Sequence, residues 1–318
     1  MPSAISVSKL LNTFDQNLAG IIGEDLPILK SIKKFVIASG GKRIRPMTHY
    51  LFCQFVGYKG KQWKDVGAVA ELIHSASLLH DDVVDNATIR RGKPTVSAKF
   101  GNKAAILSGD FLLACGIERL NQLGLPQTMA LFSRVLRDLS VSELLQMEWE
   151  SNPKITLKIY DSIIFGKTAS LFGACTESAG HLANLSKKEC ANLAEFGVRL
   201  GKLFQKKDDC LDYFFTSKDS GKEFLKDFHN GLYSYPILKL KESSNTKVKK
   251  QVDDLFAKTE RTSADDEIIL GFLKEFRIEA LINAEFQKEK AYLNEFMNRY
   301  PDSPDKKLFL DQLEKLIG

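Results

Sequence analysis

The sequence predicts an all-α protein built as a bundle of long helices. Three observations carry this. Apolar residues recur at helical spacing through most of the chain. Period-two strands and Asn-Gly hairpin signals are missing. Breakers containing glycine or proline fall between the periodic segments.

In chain order, the stretch 64–85 places Val66, Val69, Ala70, Ile73, Ala76 and the Leu78-Leu79 pair on a helical stripe. The stretch 127–150 does the same with Met129, Phe132, Val135, Leu136, Leu139, Leu144 and Leu145. Further helices are expected at 155–180, 187–215 and 264–297. Gly40-Gly41, Gly92-Lys93-Pro94, Gly124-Leu125-Pro126, Asn152-Pro153 and the 301–304 stretch read as connections. Several segments are longer than a typical globular helix and apolar over a wide stripe, which suits the middle of a bundle. After about Lys241, alternating charge with scattered apolar anchors predicts outer helices. No low-complexity linker or short repeat divides the chain, so a single domain over 1–318 is expected.

Composition narrows the function classes. The chain has 318 residues, 44% hydrophobic, enough for a large core, and a formal net charge of +5. No basic block suggests a nucleic-acid partner. Five cysteines, Cys53, Cys115, Cys175, Cys190 and Cys210, are irregularly spaced without a CxxC pair. They read as free thiols in a reducing cytoplasm. The start MPSAISVSKLLNTFDQ lacks the basic and apolar regions of a signal peptide. No stretch approaches the roughly 18–20 apolar residues of a membrane span. A soluble protein without an integral membrane segment is expected.

The strongest chemical signal is His80-Asp81-Asp82-Val83-Val84-Asp85, at the end of a long helical segment. With 3.6 residues per turn, Asp81 and Asp85 share a face, one turn apart. Carboxylates at this spacing, about 6 Å, repel unless a cation joins them. All-oxygen sites of this kind suit Mg²⁺, which often bridges to substrate phosphates. The pattern returns as Asp208-Asp209-Cys210-Leu211-Asp212, again in an apolar helical segment. One such motif equally fits a solvated acidic face or a helix cap. Two, each flanked by core-type residues, point to metal sites.

Cations accompany them. Gly40-Gly41-Lys42-Arg43-Ile44-Arg45-Pro46 sets three cations after two glycines, and Arg90-Arg91-Gly92-Lys93-Pro94 follows the first acidic motif. Lys167-Thr168 and Gly221-Lys222 add more. Arginine offers a planar fork to phosphate oxygens and lysine a point charge. Alone, each cluster would read as surface charge. Beside two acidic motifs they describe diphosphate binding. His74, seven residues before Asp81 and nearly on its face, fits either a hydrogen-bonded core histidine or a phosphate ligand.

Five segments together resemble the trans-isoprenyl diphosphate synthases, in the long-chain polyprenyl (octaprenyl-type) branch. They are GGKRIRP at 40–46, ELIHSASLLHDDVVDNATIRRGKPT at 71–95, GDFLLA at 109–114, GKTASL at 166–171 and FQKKDDCLDY at 204–213. The resemblance implies an isoprenoid synthase-like bundle of long antiparallel helices around a central cavity, usually as a homodimer. It implies three Mg²⁺ held by Asp81, Asp85 and Asp208, supported by Asp82, Asp209 and Asp212. It implies that Lys42, Arg45, His74 and Arg91 hold isopentenyl diphosphate, and that Arg90, Lys167, Thr168, Gln205 and Lys222 hold the allylic diphosphate. The reaction implied joins these two substrates, with the released diphosphate taking the proton.

In that family the growing chain runs from the first acidic motif along the same helix, so Ala76 and Ser77 act as a gate. Both are small, which leaves the path open toward Ile73, Leu72, Phe111, Leu112 and Ile117 and implies a long product, around C40, for a quinone side chain. The chain also departs from the family. Gly231-Leu232-Tyr233-Ser234-Tyr235-Pro236 puts Leu232 where a phosphate-binding lysine is usual, and Asp227 takes the family's third acidic position. Lys206 or Lys207 is a candidate to supply the missing charge. Three alternatives share parts of the pattern: a shorter-chain synthase, a non-catalytic subunit of a heteromeric synthase, and a class I terpene cyclase. The cyclase accounts for neither the second DDxxD nor the GGKRIRP segment.

Overall fold

The computed structural model describes residues 7–23, 26–38, 43–214 and 224–317. They form the helices α1 (Val7–Ile22), α2 (Pro27–Ala38), α3 (Ile44–Phe55), α4 (Trp63–Val84), α5 (Val96–Phe100), α6 (Asn102–Gln122), α7 (Pro126–Trp149) and α8 (Leu157–Ile164). After a π-turn (Phe165–Ala169) come α9 (Ser170–Leu182), α10 (Lys187–Phe214), α11 (Lys226–His229), α12 (Tyr235–Ser243), α13 (Thr246–Phe256), α14 (Ser263–Glu275), α15 (Ile278–Met297) and α16 (Pro304–Ile317). The only strands among the described residues are β1 (Ile89–Arg90) and β2 (Lys93–Pro94), a minimal antiparallel hairpin. The all-α expectation holds. None of these helices is long and apolar enough to cross a membrane.

Boundaries follow local chemistry. The Thr95 hydroxyl accepts the Ala98 N–H to start α5, and Thr156 does the same for α8 through Ile159. The segments read at 64–85, 127–150 and 187–215 appear as α4, α7 and α10 nearly as expected. Two expectations are corrected. The run 264–297 is two helices, because the chain breaks at Arg277 with φ 51°. The run 155–180 is interrupted where the π-turn joins α8 to α9.

The chain groups into two compact units. One comprises Met1–Leu136, Leu171–Gly197 and Asp302–Phe309; the other comprises Arg137–Ser170, Val198–Pro301 and Leu310–Gly318. In the first unit α4 packs along α6 and takes α1 and α3 on its other sides. Gly67 allows the α1 approach: a Cβ there would lie 2.9 Å from the Phe14 ring. Phe52 meets Phe196 and Phe309 in an aromatic cluster. His49 is buried, its Nδ1 within 2.8 Å of the Cys175 carbonyl and 3.0 Å of the Ser178 hydroxyl. Burial pushes its pKa down to about 4, so the ring is neutral.

The second unit packs Tyr233 face-on against Phe256 and Phe228 edge-on against the same ring. Each C-terminal helix buries one stripe, such as Val248, Val252, Leu255 and Phe256 of α13. All five cysteines are free and buried.

Candidate active site

The first acidic motif closes α4. The Asp85 N–H donates to the Asp81 carbonyl at 2.8 Å, so the helical register persists to Asp85 and sets both carboxylates on one face. Asp85 is exposed and Asp81 half-buried, whereas Asp82 is only 2% exposed. Asp82 has a partner: Arg90 Nε donates to its Oδ1 at 2.7 Å. The chain reverses through Asn86 at φ 51°, and the Ala87 N–H returns to the Asp82 carbonyl at 2.9 Å. The hairpin β1–β2 then turns on Arg91 and Gly92, both at positive φ, as a two-residue type I′ loop demands. Thr95 secures its base by donating to the Ala87 carbonyl at 2.7 Å. Arg90 and Arg91 are thereby held beside the acidic end of α4.

The cations of the 40–46 segment divide. Lys42 lies outside the described residues. Arg43 is structural: it bonds Glu71 at 2.6 Å and Asp15 at 3.0 Å, tying the start of α3 to α4 and α1. Arg45 lies over the Phe172 ring, 5.0 Å from its centroid, and its buried Nε has no hydrogen-bond partner. Burial lowers its pKa against the opposing pull of Glu71 and Cys175, and the like charge of Arg91 adds to the lowering. His74 is driven well below the usual imidazole range, first by burial, then by Arg45, Arg91, Arg90 and Arg43. Arg45, His74 and Arg91, expected to serve one diphosphate, thus share one positive field. An orphaned guanidinium N–H within such a field suits an anion.

Ala76 is fully buried in a cluster with Leu72 and Ala68 on α4, Leu18 and Ile22 on α1, Ile32 on α2, and Leu112 and Cys115 on α6. Phe111 packs at its edge. Ser77 turns its hydroxyl back to the His74 carbonyl at 3.0 Å.

The second acidic motif lies in the other unit, near the end of α10. Asp208 is exposed and Asp209 buried. Asp209 receives three neutral donors: Tyr160 Oη at 2.7 Å and the Tyr235 N–H at 3.1 Å on Oδ2, and Gln205 Nε2 at 2.9 Å on Oδ1. Burial pushes its pKa up to about 6 against these bonds. Asp212 accepts the backbone N–H groups of Lys226 (3.0 Å) and Asp227 (2.9 Å) and so fixes the start of α11. Asp227 itself is pushed up to about 8, by burial first and then by Asp209 and Asp212. Four carboxylates therefore crowd one end of α10. This all-oxygen set, carrying more charge than it can hold ionised, fits a divalent cation. Among the described residues, no three His, Cys, Asp or Glu side chains already converge as a ready-made metal cage.

Lys167 and Thr168 sit in the π-turn, a feature without a propensity signature and common at functional sites. Lys167 Nζ pairs with Glu143 at 2.8 Å and reaches Gln146 at 3.3 Å. The Thr168 hydroxyl donates to Gln205 Oε1 at 2.7 Å. Gly166 allows this fit, since a Cβ there would lie 2.3 Å from the Asp138 carbonyl oxygen. Thr168, Gln205 and Asp209 are one bonded series. Lys222 lies outside the described residues. Lys206 and Lys207, the candidates to supply the charge missing at Leu232, both lie among the described residues. On α10 they are rotated about 80° and about 180°, respectively, from the midpoint of Gln205 and Asp209. Lys206 also lies over the Tyr235 ring at 4.8 Å; burial lowers its pKa, and Asp161 and Glu285 oppose this. Glu143, Gln146 and Tyr160 were not singled out from sequence; only their spacing on helical faces was available as a signal.

Comparison with known proteins adds independent findings. The polyprenyl synthetase family model matches residues 26–271. Octaprenyl diphosphate synthase of Escherichia coli (strain K12) is 34% identical over 241 residues, covering 74% of this chain and 75% of that protein. The crystal structure of heptaprenyl diphosphate synthase from Staphylococcus aureus superposes with a TM-score of 0.90 at 30% identity, covering 99% of this chain and 98% of that one. Decaprenyl diphosphate synthase from Rhodobacter capsulatus also gives 0.90, at 26% identity over 98% and 96% of the two chains. The motifs, the all-α isoprenoid synthase-like fold and these matches agree, and the chain belongs to the polyprenyl synthetase family.

Proposed function

We propose that this protein is a Mg²⁺-dependent trans-prenyltransferase, acting over 1–318 as one polyprenyl synthase domain. It condenses isopentenyl diphosphate with farnesyl diphosphate or a similar allylic primer to an all-trans polyprenyl diphosphate of about C40. Such a product suits a quinone side chain. The observation that carries this reading is the crowd of carboxylates around Asp208, Asp209, Asp212 and Asp227, which admits an anionic substrate only together with divalent cations. Family membership and long-chain relatives support the substrate class.

Asp81, Asp85 and Asp208, with Asp82, Asp209 and Asp212 in support, are the residues assigned to three Mg²⁺. When bound, Mg²⁺ neutralises charge on the departing diphosphate. Arg45, His74 and Arg91, with Lys42, orient isopentenyl diphosphate. Arg90, Lys167, Thr168, Gln205 and Lys222 hold the allylic diphosphate and stabilise its growing negative charge. The allylic C–O bond breaks and its electron pair leaves with the diphosphate. The isopentenyl double bond attacks the allylic cation, and the proton then lost passes to the released diphosphate. Buried Ala76 supports the long product, because a small side chain there leaves α4 unblocked toward Leu72.

A homodimer in the cytoplasm completes the reading. The exposed α7 stripe Val141, Leu144 and Met147 supports self-association, and the free thiols support a reducing compartment. Leu232, in place of the usual lysine, favours one second reading, a non-catalytic subunit of a heteromeric synthase. The test is incubation with Mg²⁺, farnesyl diphosphate and labelled isopentenyl diphosphate, with chain lengths resolved. A ladder ending near C40 supports the proposal. Arrest at C15 or C20 would make it a shorter-chain synthase. Binding of both substrates without incorporation would favour the non-catalytic subunit.

A further inference from the structure

The geometry points to Tyr160 as the positioning residue that holds the second acidic motif in register with the Lys167–Thr168 turn. This inference rests on the function proposed above.

Tyr160 lies on α8 and is 5% exposed. Its ring stacks on Tyr235, with centroids 5.8 Å apart and planes at 20°. Its hydroxyl donates to Asp209 Oδ2 at 2.7 Å, and the backbone N–H of Tyr235 reaches the same oxygen at 3.1 Å. The other carboxylate oxygen takes Gln205 Nε2 at 2.9 Å, and Gln205 in turn accepts from Thr168 at 2.7 Å. Helix α8 runs without a gap into the π-turn, so Tyr160 and Thr168 are also joined through about two turns of helical backbone.

These links close a ring. It passes from Tyr160 along α8 and the π-turn to Thr168, then through Gln205 and Asp209 back to Tyr160. A π-turn, with its i→i+5 bonds, shifts the register of the helix it interrupts. Here the ring holds that shift in place, setting Lys167 and Thr168 at a constant offset from Asp208 and Asp212 on α10. Asp209 is the hub. With Tyr160, Gln205 and Tyr235 already on its oxygens, its work is to align its neighbours. A diphosphate held by Lys167 and Thr168 and a cation held by Asp208 must fit each other to a fraction of an ångström. Opening the ring loosens that fit without removing any group that touches substrate.

The test is Tyr160→Phe. Phenylalanine keeps the ring stacked on Tyr235 and the packed volume, and deletes only the hydroxyl. The expected result is a rise of ten-fold or more in the KM for farnesyl diphosphate and in the Mg²⁺ concentration giving half-maximal rate. The KM for isopentenyl diphosphate should stay within two-fold. A readout independent of turnover is calorimetric binding of farnesyl thiodiphosphate, a slowly reacting analogue, in Mg²⁺. Its Kd should rise by the same ten-fold. A lower kcat with both KM values and that Kd unchanged would show a merely structural residue and overturn the assignment. Unchanged behaviour throughout would overturn it equally. A wild-type protein that neither binds the analogue nor turns over substrate would instead defeat the proposed function itself, a separate result from failure of the variant alone.

Discussion

The two acidic motifs have the same sequence spacing but are balanced differently. In the first, the buried carboxylate Asp82 meets a cation, Arg90, supplied by a hairpin eight residues later. In the second, the buried carboxylate Asp209 meets only neutral donors, from Tyr160, Gln205 and Tyr235, and a fourth carboxylate, Asp227, joins the group. A pattern of aspartates therefore does not fix the charge of its site; the residues that return to it do. The second motif has the greater need for an outside cation.

The largest effect expected is on turnover. Asp81→Ala and Asp208→Ala each remove a carboxylate assigned to Mg²⁺, and each should lower kcat/KM by about 10³-fold through lost charge stabilisation of the leaving diphosphate. Steady-state rates at saturating Mg²⁺ check this. Near-wild-type activity in either would break the parallel between the motifs.

The middle residues should separate in stability. Asp209→Ala leaves three buried donors without an acceptor and should cost about 3–5 kcal/mol. Asp82→Ala leaves one donor, on an Arg90 side chain that is 32% exposed and can turn to water, and should cost about 1 kcal/mol. Denaturant unfolding of both variants measures the difference. Equal losses would mean that neutral donors and a cation serve a buried carboxylate alike.

Acid sharpens the contrast from the first unit. Buried His49 has a folded pKa of about 4 against an ordinary 6.5. The unfolded chain therefore takes up the proton first. This contribution is intact above about pH 6.5 and is lost as pH falls toward 4, to a total of about 3 kcal/mol. His49→Gln should flatten that part of the stability profile, followed by thermal unfolding between pH 7 and pH 4.

The mildest change expected is in product length. Ala76→Phe fills the cluster formed with Leu72, Ile32 and Leu112. It should shorten the product by several isoprene units at an overpacking cost of about 1–3 kcal/mol. Chromatography of the products decides it, and an unchanged length would remove Ala76 from any role as a gate.

Much of the fold was legible because long, strongly periodic segments carry their own signal. Helices α4, α7 and α10 begin and end close to where apolar spacing and Gly or Pro breakers place them. The break at Arg277 was not legible, because neither Gly nor Pro marks it and an arginine takes the left-handed conformation instead. The π-turn was hidden for a similar reason: one extra residue in a helix leaves no compositional trace, and its fit depends on Gly166 facing Asp138. At the site, residue types and motifs identified the aspartates and arginines. Sequence could not say which would face solvent. Arg43 reads like Arg45, yet Arg43 is spent on Glu71 and Asp15 while Arg45 keeps an unpaired N–H. Tyr160 carries no motif at all, and only folding brings its hydroxyl to Asp209.

The most direct test of the central claim, that these carboxylates accept a diphosphate only with a divalent cation, is the affinity of the wild-type protein for farnesyl thiodiphosphate with Mg²⁺ and with EDTA. The account predicts binding at least about 100-fold tighter with Mg²⁺, roughly 2.7 kcal/mol. Equal affinity in the two conditions would contradict it.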